Sequence, residues 1–325
     1  MFMRGLSIRI LTLLIPGYLF VSAAAAQDFE PVTREMLENP SPDDWLMLSR
    51  TYDEQRYSPL DQVNTKNVND LRMAWTRGLP TGTQQTIPLV YNGVMYIAAP
   101  MATVIAIDAT TGDLIWEYKR KTDSRTSPTR IASTSTKSLA IYQDMIYYTA
   151  PDGFLVALDA QNGSIRWEIL PHDPDAGAKF SSAPIVVEGK VITGRACQDH
   201  ANCFISAHDA MTGKEVWKFY TAAAEGEPGG DTWADLPTAE RTASVWGLPG
   251  SYDPVRKLIY WGTANPQPYT RLMRHGSADA ISKSAPANLY SNSTLALDEK
   301  TGKLVWYYQH LPGDDWDADH AHERI

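Results

Sequence analysis

Short runs of β-branched, aromatic and other apolar residues recur along the chain, and a pair of turn-forming residues breaks each of the first three. The runs are "PLVYNGVMYIAA" (88–99), "SLAIYQDMIYYTA" (138–150), "APIVVEGKVITG" (183–194) and "YDPVRKLIYWGTAN" (252–265). Two β-rich segments around Asn-Gly, Gln-Asp or Glu-Gly are typical of a β-hairpin, because such pairs suit a tight turn. The pattern therefore predicts a series of antiparallel hairpins.

A repeat with the template Ala-x-Asp-x-x-x-Gly-x-x-x-Trp follows these runs. Its four copies are "AIDATTGDLIW" (106–116), "ALDAQNGSIRW" (157–167), "AHDAMTGKEVW" (207–217) and "ALDEKTGKLVW" (296–306). Gly accepts positive φ and Asp bonds to local amides, so both residues suit a tight turn. Each copy therefore predicts a strand, a turn and a second strand with Trp at a fixed place.

Two successive hairpins make a four-stranded unit, and such units repeated along a chain are typical of β-propeller blades. We therefore predict an all-β fold of four-stranded blades, with each repeat Trp packed between neighbouring blades. A sandwich of unrelated hairpins is the weaker alternative, because the four copies share one template. No recognisable unit follows Trp306 to close a ring, so we expect the chain to cover only part of a propeller.

The first 26 residues have the features of a Sec-type signal peptide. Arg4 and Arg9 precede the short apolar run "ILTLLIPGYLF" and form a positive N-terminal region. The segment "VSAAAAQ" then supplies small residues for cleavage after Ala26. A membrane anchor is the alternative, but the run is short for a membrane span. We therefore expect a signal peptide at 1–26, an exported protein, and one partial propeller domain at 27–325.

Charge and motif content exclude several classes of function. The formal net charge is −9, and cleavage would also remove two arginines, so nucleic acid is not an expected partner. His320 and His322 form a His-x-His pair, but no Cys or third His accompanies them as a zinc site requires. The segment "DWDADHAHE" resembles the start of an EF-hand but lacks its Gly at position six.

The chain has two cysteines, Cys197 and Cys203, with five residues between them. In an oxidising compartment such a pair can close a small disulfide loop, and two independent thiols are the alternative. The sequence contains no Cys-x-x-Cys-His motif, so no covalently attached haem is expected.

From about residue 40 onward, the chain resembles the periplasmic alcohol dehydrogenases that depend on pyrroloquinoline quinone (PQQ), which are eight-bladed propellers. The Trp repeat looks like the tryptophan-docking motif of this family. The stretch 44–75, with "RYSPL" and a final "LRMAW", looks like the characteristic opening of the family. The resemblance implies PQQ and a metal ion, calcium or a lanthanide, as cofactors.

Two segments of the chain are similar to cofactor-binding motifs of that family. "VWGLPGSYDP" (245–254) resembles the segment whose Trp lies under the planar quinone, which implies this role for Trp246. "YWGTANPQP" (260–268) resembles a Gly-Thr-Gly-Asn-Pro segment and implies Asn265 as a metal ligand, with Ala264 in place of a Gly. A core Trp and a turn Asn are the structural alternatives.

A third segment, "DDWDADH" (314–320), resembles the family segment that carries the catalytic carboxylate. The match implies that Asp317 is the base that accepts the alcohol proton and is also a metal ligand. Asp319 matches an additional Asp of the lanthanide-using branch, whose extra charge suits a trivalent ion. A solvated acidic loop is the alternative, although Trp316 would be an unusual residue for it.

The chain departs from the family pattern at other positions. Gln198 falls near the position of a metal-binding Glu of the family and is the implied third ligand, although it offers a carbonyl oxygen without a charge. Lys137 replaces a cofactor-binding Arg and could pair with a PQQ carboxylate, though not bidentately. Thr149 and Ser244 complete the cofactor-binding residues that the resemblance implies.

The resemblance implies oxidation of a small alcohol in the periplasm, with a separate cytochrome c or a membrane quinone as electron acceptor. A non-catalytic propeller scaffold and an inactive fragment are the alternatives. A lipoprotein scaffold would need a lipid-attachment Cys after the apolar run, and this sequence has none there.

Overall fold

The computed structural model describes residues 29–122, 136–171, 182–280 and 285–322. The predicted signal peptide, residues 1–26, lies outside these ranges. Within them, no helix has both the length and the apolar character that crossing a membrane requires.

The described strands form four sheets, and in each sheet four antiparallel strands follow one another in chain order. Blade 1 contains β1 (Leu89–Tyr91), β2 (Val94–Ala99), β3 (Thr103–Asp108) and β4 (Leu114–Lys119), and blade 2 contains β5 (Ala140–Tyr142), β6 (Met145–Thr149), β7 (Leu155–Asp159) and β8 (Ile165–Ile169). Blade 3 contains β9 (Ile185–Val187), β10 (Lys190–Gly194), β11 (Phe204–Asp209) and β12 (Glu215–Tyr220), and blade 4 contains β13 (Ser251–Asp253), β14 (Leu258–Gly262), β15 (Ser293–Asp298) and β16 (Leu304–Gln309). Among the described residues, the α-helices α1 (Arg34–Glu38) and α2 (Arg271–His275) lie in connecting segments. The predicted four-stranded blades are confirmed.

The sequence repeat forms the hairpin between the third and fourth strands of each blade. In blade 1, the Asp108 carboxylate accepts hydrogen bonds from the backbone N–H groups of Thr110 and Thr111, at 2.8 and 2.9 Å. Gly112 follows with a φ of +76°, a conformation that L side chains rarely adopt. A register shift follows the repeat Ala in all four blades. The repeat therefore encodes one backbone conformation four times.

The repeat Trp joins each blade to the next one. In blade 1, the indole N–H of Trp116 donates to the carbonyl oxygen of Ala160 in blade 2, at 3.0 Å. The ring lies against Gly163, where an added Cβ would come within 2.6 Å of it. A glycine is thus required at this position both by the turn and by the neighbouring indole.

The same contact recurs at the other blade junctions. Trp167 donates to Ala210 and Trp217 to Glu299, each at 3.0 Å. Trp75, which precedes the blades and lies outside the repeat, donates to Ala109 of blade 1 at 3.1 Å. Trp306 of blade 4 lies 5.6 Å from the ring of Tyr260 in its own blade. The prediction that the repeat Trp packs between neighbouring blades is confirmed for blades 1 to 3.

The segment 32–52, which we call the N-terminal strap, runs across one end of all four blades. It contacts the turn between the first two strands of every blade, or the strands beside that turn. The contacts are backbone pairs of Val32 with Gln143 and of Trp45 with Val90, and hydrogen bonds of Tyr52 with Val186 and Tyr252. Arg34 of α1 adds an ion pair with Glu188 at 2.7 Å. The strap therefore covers one end of the blades and leaves the other end to the remaining loops.

We predict that Gly163→Ala lowers the free energy of unfolding more than Gly93→Ala does. Both glycines have φ near +75°, but a Cβ at Gly93 would meet nothing within 4 Å. Backbone strain alone should cost about 1–2 kcal/mol in each variant. Overpacking against Trp116 should add about 1–3 kcal/mol at Gly163. Urea unfolding of both variants measures the difference, and equal losses would contradict indole docking as the reason for this glycine.

Candidate active site

The predicted site residues lie where strands begin or end at the blade end opposite the N-terminal strap. Lys137 and Trp246 precede the first strands β5 and β13, and Thr149 is the last residue of β6. Asn265 follows the second strand β14, and Asp317 follows the fourth strand β16. Because antiparallel strands alternate in direction, the start of the first strand and the ends of the second and fourth lie at one end of a blade.

A buried carboxylate shapes the turn that carries Asp317. Asp314 is 1% exposed and accepts hydrogen bonds from the Asn292 side chain at 2.9 Å and from the backbone N–H groups of Trp316 and Ala318 at 2.7 and 2.8 Å. Asp317 lies inside this turn with a φ of +59°, which Asp tolerates better than most residues. Its side chain is exposed, whereas the turn that presents it is anchored in the protein.

Negative charge is concentrated in this turn. Partial burial raises the pKa of the Asp317 carboxyl above its usual value, and the neighbouring Asp319 and Asp314 carboxylates raise it further. A cation bound beside Asp317 would relieve this repulsion and favour the ionised carboxylate.

Backbone hydrogen bonds connect the three predicted motifs. The backbone N–H of Asn265 donates to Asp319 Oδ1 at 3.4 Å, which joins the Asn265 loop to the acidic turn. The N–H of Ala264 donates to the carbonyl oxygen of Ser244 at 2.7 Å, which joins the Asn265 loop to the segment before Trp246. Asn265 itself is 2% exposed. The structure therefore brings the Trp246, Asn265 and Asp317 segments together, as the motifs predicted.

Trp246 is half-buried between a cation and an imidazole. The Lys137 ammonium lies 6.0 Å from the centre of the indole ring, and burial lowers the pKa of Lys137. Lys137 also donates a hydrogen bond to the Gln85 side chain. The ring of His322 stands nearly perpendicular to the indole, with the ring centres 5.3 Å apart. No sequence motif indicates this contact of His322 with Trp246.

Two predicted cofactor-binding hydroxyls bond to the protein itself. Thr149 is fully buried and donates to the Ser182 carbonyl oxygen at 2.9 Å. Ser244 accepts a hydrogen bond from the backbone N–H of Cys197 and donates to the carbonyl oxygen of Arg195, both at 3.4 Å. Both hydroxyls therefore have partners that hold loops of the site in place.

The two cysteines form a disulfide in the structure. The Cys197 and Cys203 sulfur atoms are 1.97 Å apart, and both residues are buried. Ser244 contacts this loop through Cys197, so the disulfide loop packs beside the segment that leads to Trp246.

Gln198, the predicted third metal ligand, lies inside the disulfide loop with an exposed side chain. No hydrogen bond joins it to Asp317 or Asp319 within the described ranges. The adjacent Asp199 carboxylate bonds to the backbone and side chain of Asn202, at distances from 2.7 to 3.1 Å. In the part of the chain that the structure describes, no three His, Cys, Asp or Glu side chains form a group that could hold a metal. The candidate ligands on the two hydrogen-bonded loops are one amide and two carboxylates, from Asn265, Asp317 and Asp319, and the role of Gln198 stays a prediction.

Two buried arginines that no sequence motif indicates also contact these loops. Arg271 and Arg274 of α2 are 7% and 6% exposed. Arg271 forms an ion pair with Asp315, and Arg274 donates to the Asp314 carbonyl oxygen at 3.0 Å. Asp314 and Asp315 lie about forty residues further along the chain, so no local motif indicates these two contacts.

Known proteins with similar sequences and folds belong to the family that the sequence motifs resemble. The family model described as "PQQ: Glucose/ethanol/alcohol dehydrogenase, beta-propeller domain" matches residues 45–324. The dehydrogenase subunit of the quinone alcohol dehydrogenase of Gluconobacter oxydans (strain 621H) is 36% identical over 301 residues, covering 85% of this chain and 39% of that protein.

Two solved structures share both the fold and detectable sequence similarity. The quinohemoprotein alcohol dehydrogenase ADHIIG of Pseudomonas putida HK5 is 31% identical with a TM-score of 0.79, covering 90% of this chain and 44% of that one. A europium-containing methanol dehydrogenase is 29% identical with a TM-score of 0.77, covering 88% of this chain and 52% of that one. The chain thus spans about half the length, or less, of these relatives. It belongs to the PQQ-dependent glucose, ethanol and alcohol dehydrogenase β-propeller family.

Proposed function

We propose that the protein oxidises a small alcohol at the site formed by Trp246, Asn265 and Asp317, with PQQ and a metal ion as cofactors. The observation that carries this proposal is the hydrogen-bonded junction of the three segments, in which Asn265 donates to Asp319 and Ala264 to Ser244. The related proteins named as alcohol dehydrogenases support the substrate class.

The residues present fit a hard metal ion. An amide and two carboxylates, from Asn265, Asp317 and Asp319, offer oxygen atoms, which calcium and lanthanide ions prefer. Desolvation raises the pKa of the Asp317 carboxyl and the Asp319 and Asp314 carboxylates raise it further, so a cation bound there would favour its ionised form. A metal ion held by Asn265, Asp317 and Asp319 would have further coordination positions for oxygen atoms of other ligands. The second carboxylate favours a trivalent ion, and the related europium-containing enzyme makes a lanthanide a reasonable first ion to test.

The residues around Trp246 fit a flat, anionic cofactor. The half-buried indole offers a planar, polarisable surface, and the Lys137 ammonium, 6.0 Å from the ring centre, offers positive charge for a carboxylate. When bound, PQQ would accept a hydride from the alcohol carbon.

Asp317 would hold the hydroxyl proton of the alcohol. Its carboxylate is exposed at the tip of an anchored turn, so a substrate hydroxyl has access to the carboxylate oxygens. The Asp314 hydrogen bonds restrict the backbone on both sides of Asp317 and so orient its carboxylate without contacting substrate.

We further propose that the protein works in the periplasm and passes electrons to a separate cytochrome c or to a membrane quinone. The signal-peptide features of residues 1–26 support export. The relative named as a quinone alcohol dehydrogenase supports a quinone as electron acceptor.

Dye reduction by primary alcohols tests the proposed activity. PQQ with calcium or lanthanum is added to the chain and to a version extended by the downstream coding sequence. We expect turnover in the extended version and about a 10²- to 10⁴-fold loss in Asp317→Ala, since a general base contributes about this much. Asp43→Ala, at an exposed position outside the site, is the matched control. Full turnover by Asp317→Ala would rule out Asp317 as the base, and a protein that neither binds PQQ nor oxidises any alcohol or sugar would rule out the function.

Thermal unfolding tests the charge of the acidic turn. A carboxyl whose pKa is raised on folding binds more protons in the folded state, so its contribution to stability falls as pH rises above 3.8. Without metal, Asp317→Asn should therefore lessen the fall in Tm that occurs as pH rises above 3.8 through the raised pKa of this carboxyl. At pH 7, lanthanum at about 100 times its Kd should add about 2.7 kcal/mol to wild-type stability and much less to the variant. The same lanthanum stabilisation in both proteins would contradict a metal site at Asp317.

A further inference from the structure

Two loops supply the candidate metal ligands, and one buried side chain spans them. We call residues 263–269 the Asn265 loop and residues 312–319 the Asp317 loop. The guanidinium of Arg274 donates to the Pro268 and Tyr269 carbonyl oxygens of the Asn265 loop, at 2.7 and 2.8 Å. The same guanidinium donates to the Asp314 carbonyl oxygen of the Asp317 loop at 3.0 Å. Arg274 therefore bonds to both loops at once.

Helix α2 presents Arg274 to these loops in a defined position. Thr270 caps the first turn of the helix by accepting a hydrogen bond from the Met273 N–H at 3.2 Å, and Gly276 ends the helix with a φ of +70°. Arg271, one turn earlier, forms an ion pair with Asp315 and donates to the Pro312 carbonyl oxygen. Both arginines thus contact the Asp317 loop, but the described contacts to the Asn265 loop carbonyls come from Arg274.

The chemistry of Arg274 suits a side chain that fixes the positions of two loops relative to each other. Burial lowers its pKa to about 10, so the group stays charged at neutral pH. Its planar, forked donors hold carbonyl oxygens in fixed directions, which the single ammonium of lysine does not do. A charge buried in this way is stable only while the carbonyl oxygens of both loops remain around it. The two loops are therefore held in register without any contact between Arg274 and the candidate ligand side chains.

We propose that Arg274 is a positioning residue for the metal ion, and this proposal rests on the proposed function. Arg274 holds the two loops together before the ion binds. Metal binding therefore does not carry the entropic cost of ordering Asn265 relative to Asp317 and Asp319. Residues that orient metal ligands in this way typically change metal affinity about 10- to 100-fold when they are replaced.

Terbium binding measures this role directly, without PQQ or substrate. Tb³⁺ stands in for a lanthanide, and its luminescence is sensitised by nearby Trp such as Trp316, beside Asp317. We expect Arg274→Met to weaken Tb³⁺ binding about 10- to 100-fold and Arg274→Lys by a smaller factor, because lysine keeps the charge but not the fork. Arg256→Met is the matched control, since Arg256 is exposed and pairs only locally with Asp253.

Titrations are made on the purified protein well below the unfolding midpoint of each variant. If Arg274→Met lowers this midpoint but binds Tb³⁺ within twofold of wild type, the residue is merely structural and the proposal is overturned. If Arg274→Met does not fold, Arg274→Lys decides, and wild-type affinity in that variant overturns the proposal. A wild-type protein that binds no Tb³⁺ would instead contradict the metal site of the proposed function.

Discussion

The contact between an indole and a glycine in the next blade is the constraint on which the rest of this structure depends. Trp116 approaches the backbone of Gly163 so closely that no side chain fits there, and its N–H binds the Ala160 carbonyl oxygen. Because Trp116 makes both a hydrogen bond and a packing contact, its docking sets the spacing and the register of adjacent blades. Repetition of this contact keeps the corresponding strand ends of successive blades at the same end of the molecule.

The two ends of the blades are then used in different ways. The N-terminal strap closes one end through backbone pairs and the Arg34–Glu188 ion pair. At the other end, the loops are organised by buried polar groups that bind backbone atoms, above all Asp314 and Arg274. Such groups fix loop geometry while leaving other side chains, including Asp317, available for chemistry. Hydrogen bonds accepted by Asp314 thus hold the backbone of this turn, whereas the Asp317 carboxylate lies exposed at its tip.

Much of the fold and part of the site could be predicted from the sequence. Turns and strand alternation depend on local residues, so Asp108 and Gly112 indicate their hairpin directly. Motif similarity placed Trp246, Asn265 and Asp317 on loops that the structure brings together. The role of Gln198 stays a prediction, because no described contact joins its disulfide loop to the Asp317 turn.

The contacts that could not be predicted are those that side chains make with backbone carbonyls or with rings of other segments. Every residue has a carbonyl oxygen, so the partners of Arg274 leave no signature in the sequence. The docking of Trp75 on Ala109 and the perpendicular contact of His322 with Trp246 were missed for a similar reason. Each depends on how distant segments pack, and residue type alone does not encode that arrangement.

We propose that the Asn265 and Asp317 loops form one metal site beside Trp246. An anomalous difference map from crystals grown with PQQ and a lanthanide tests it most directly. We expect one strong peak bound by side-chain oxygens of Asn265 and Asp317, with the quinone ring lying on Trp246. A peak elsewhere, with these oxygens directed away from it, would rule out this metal site.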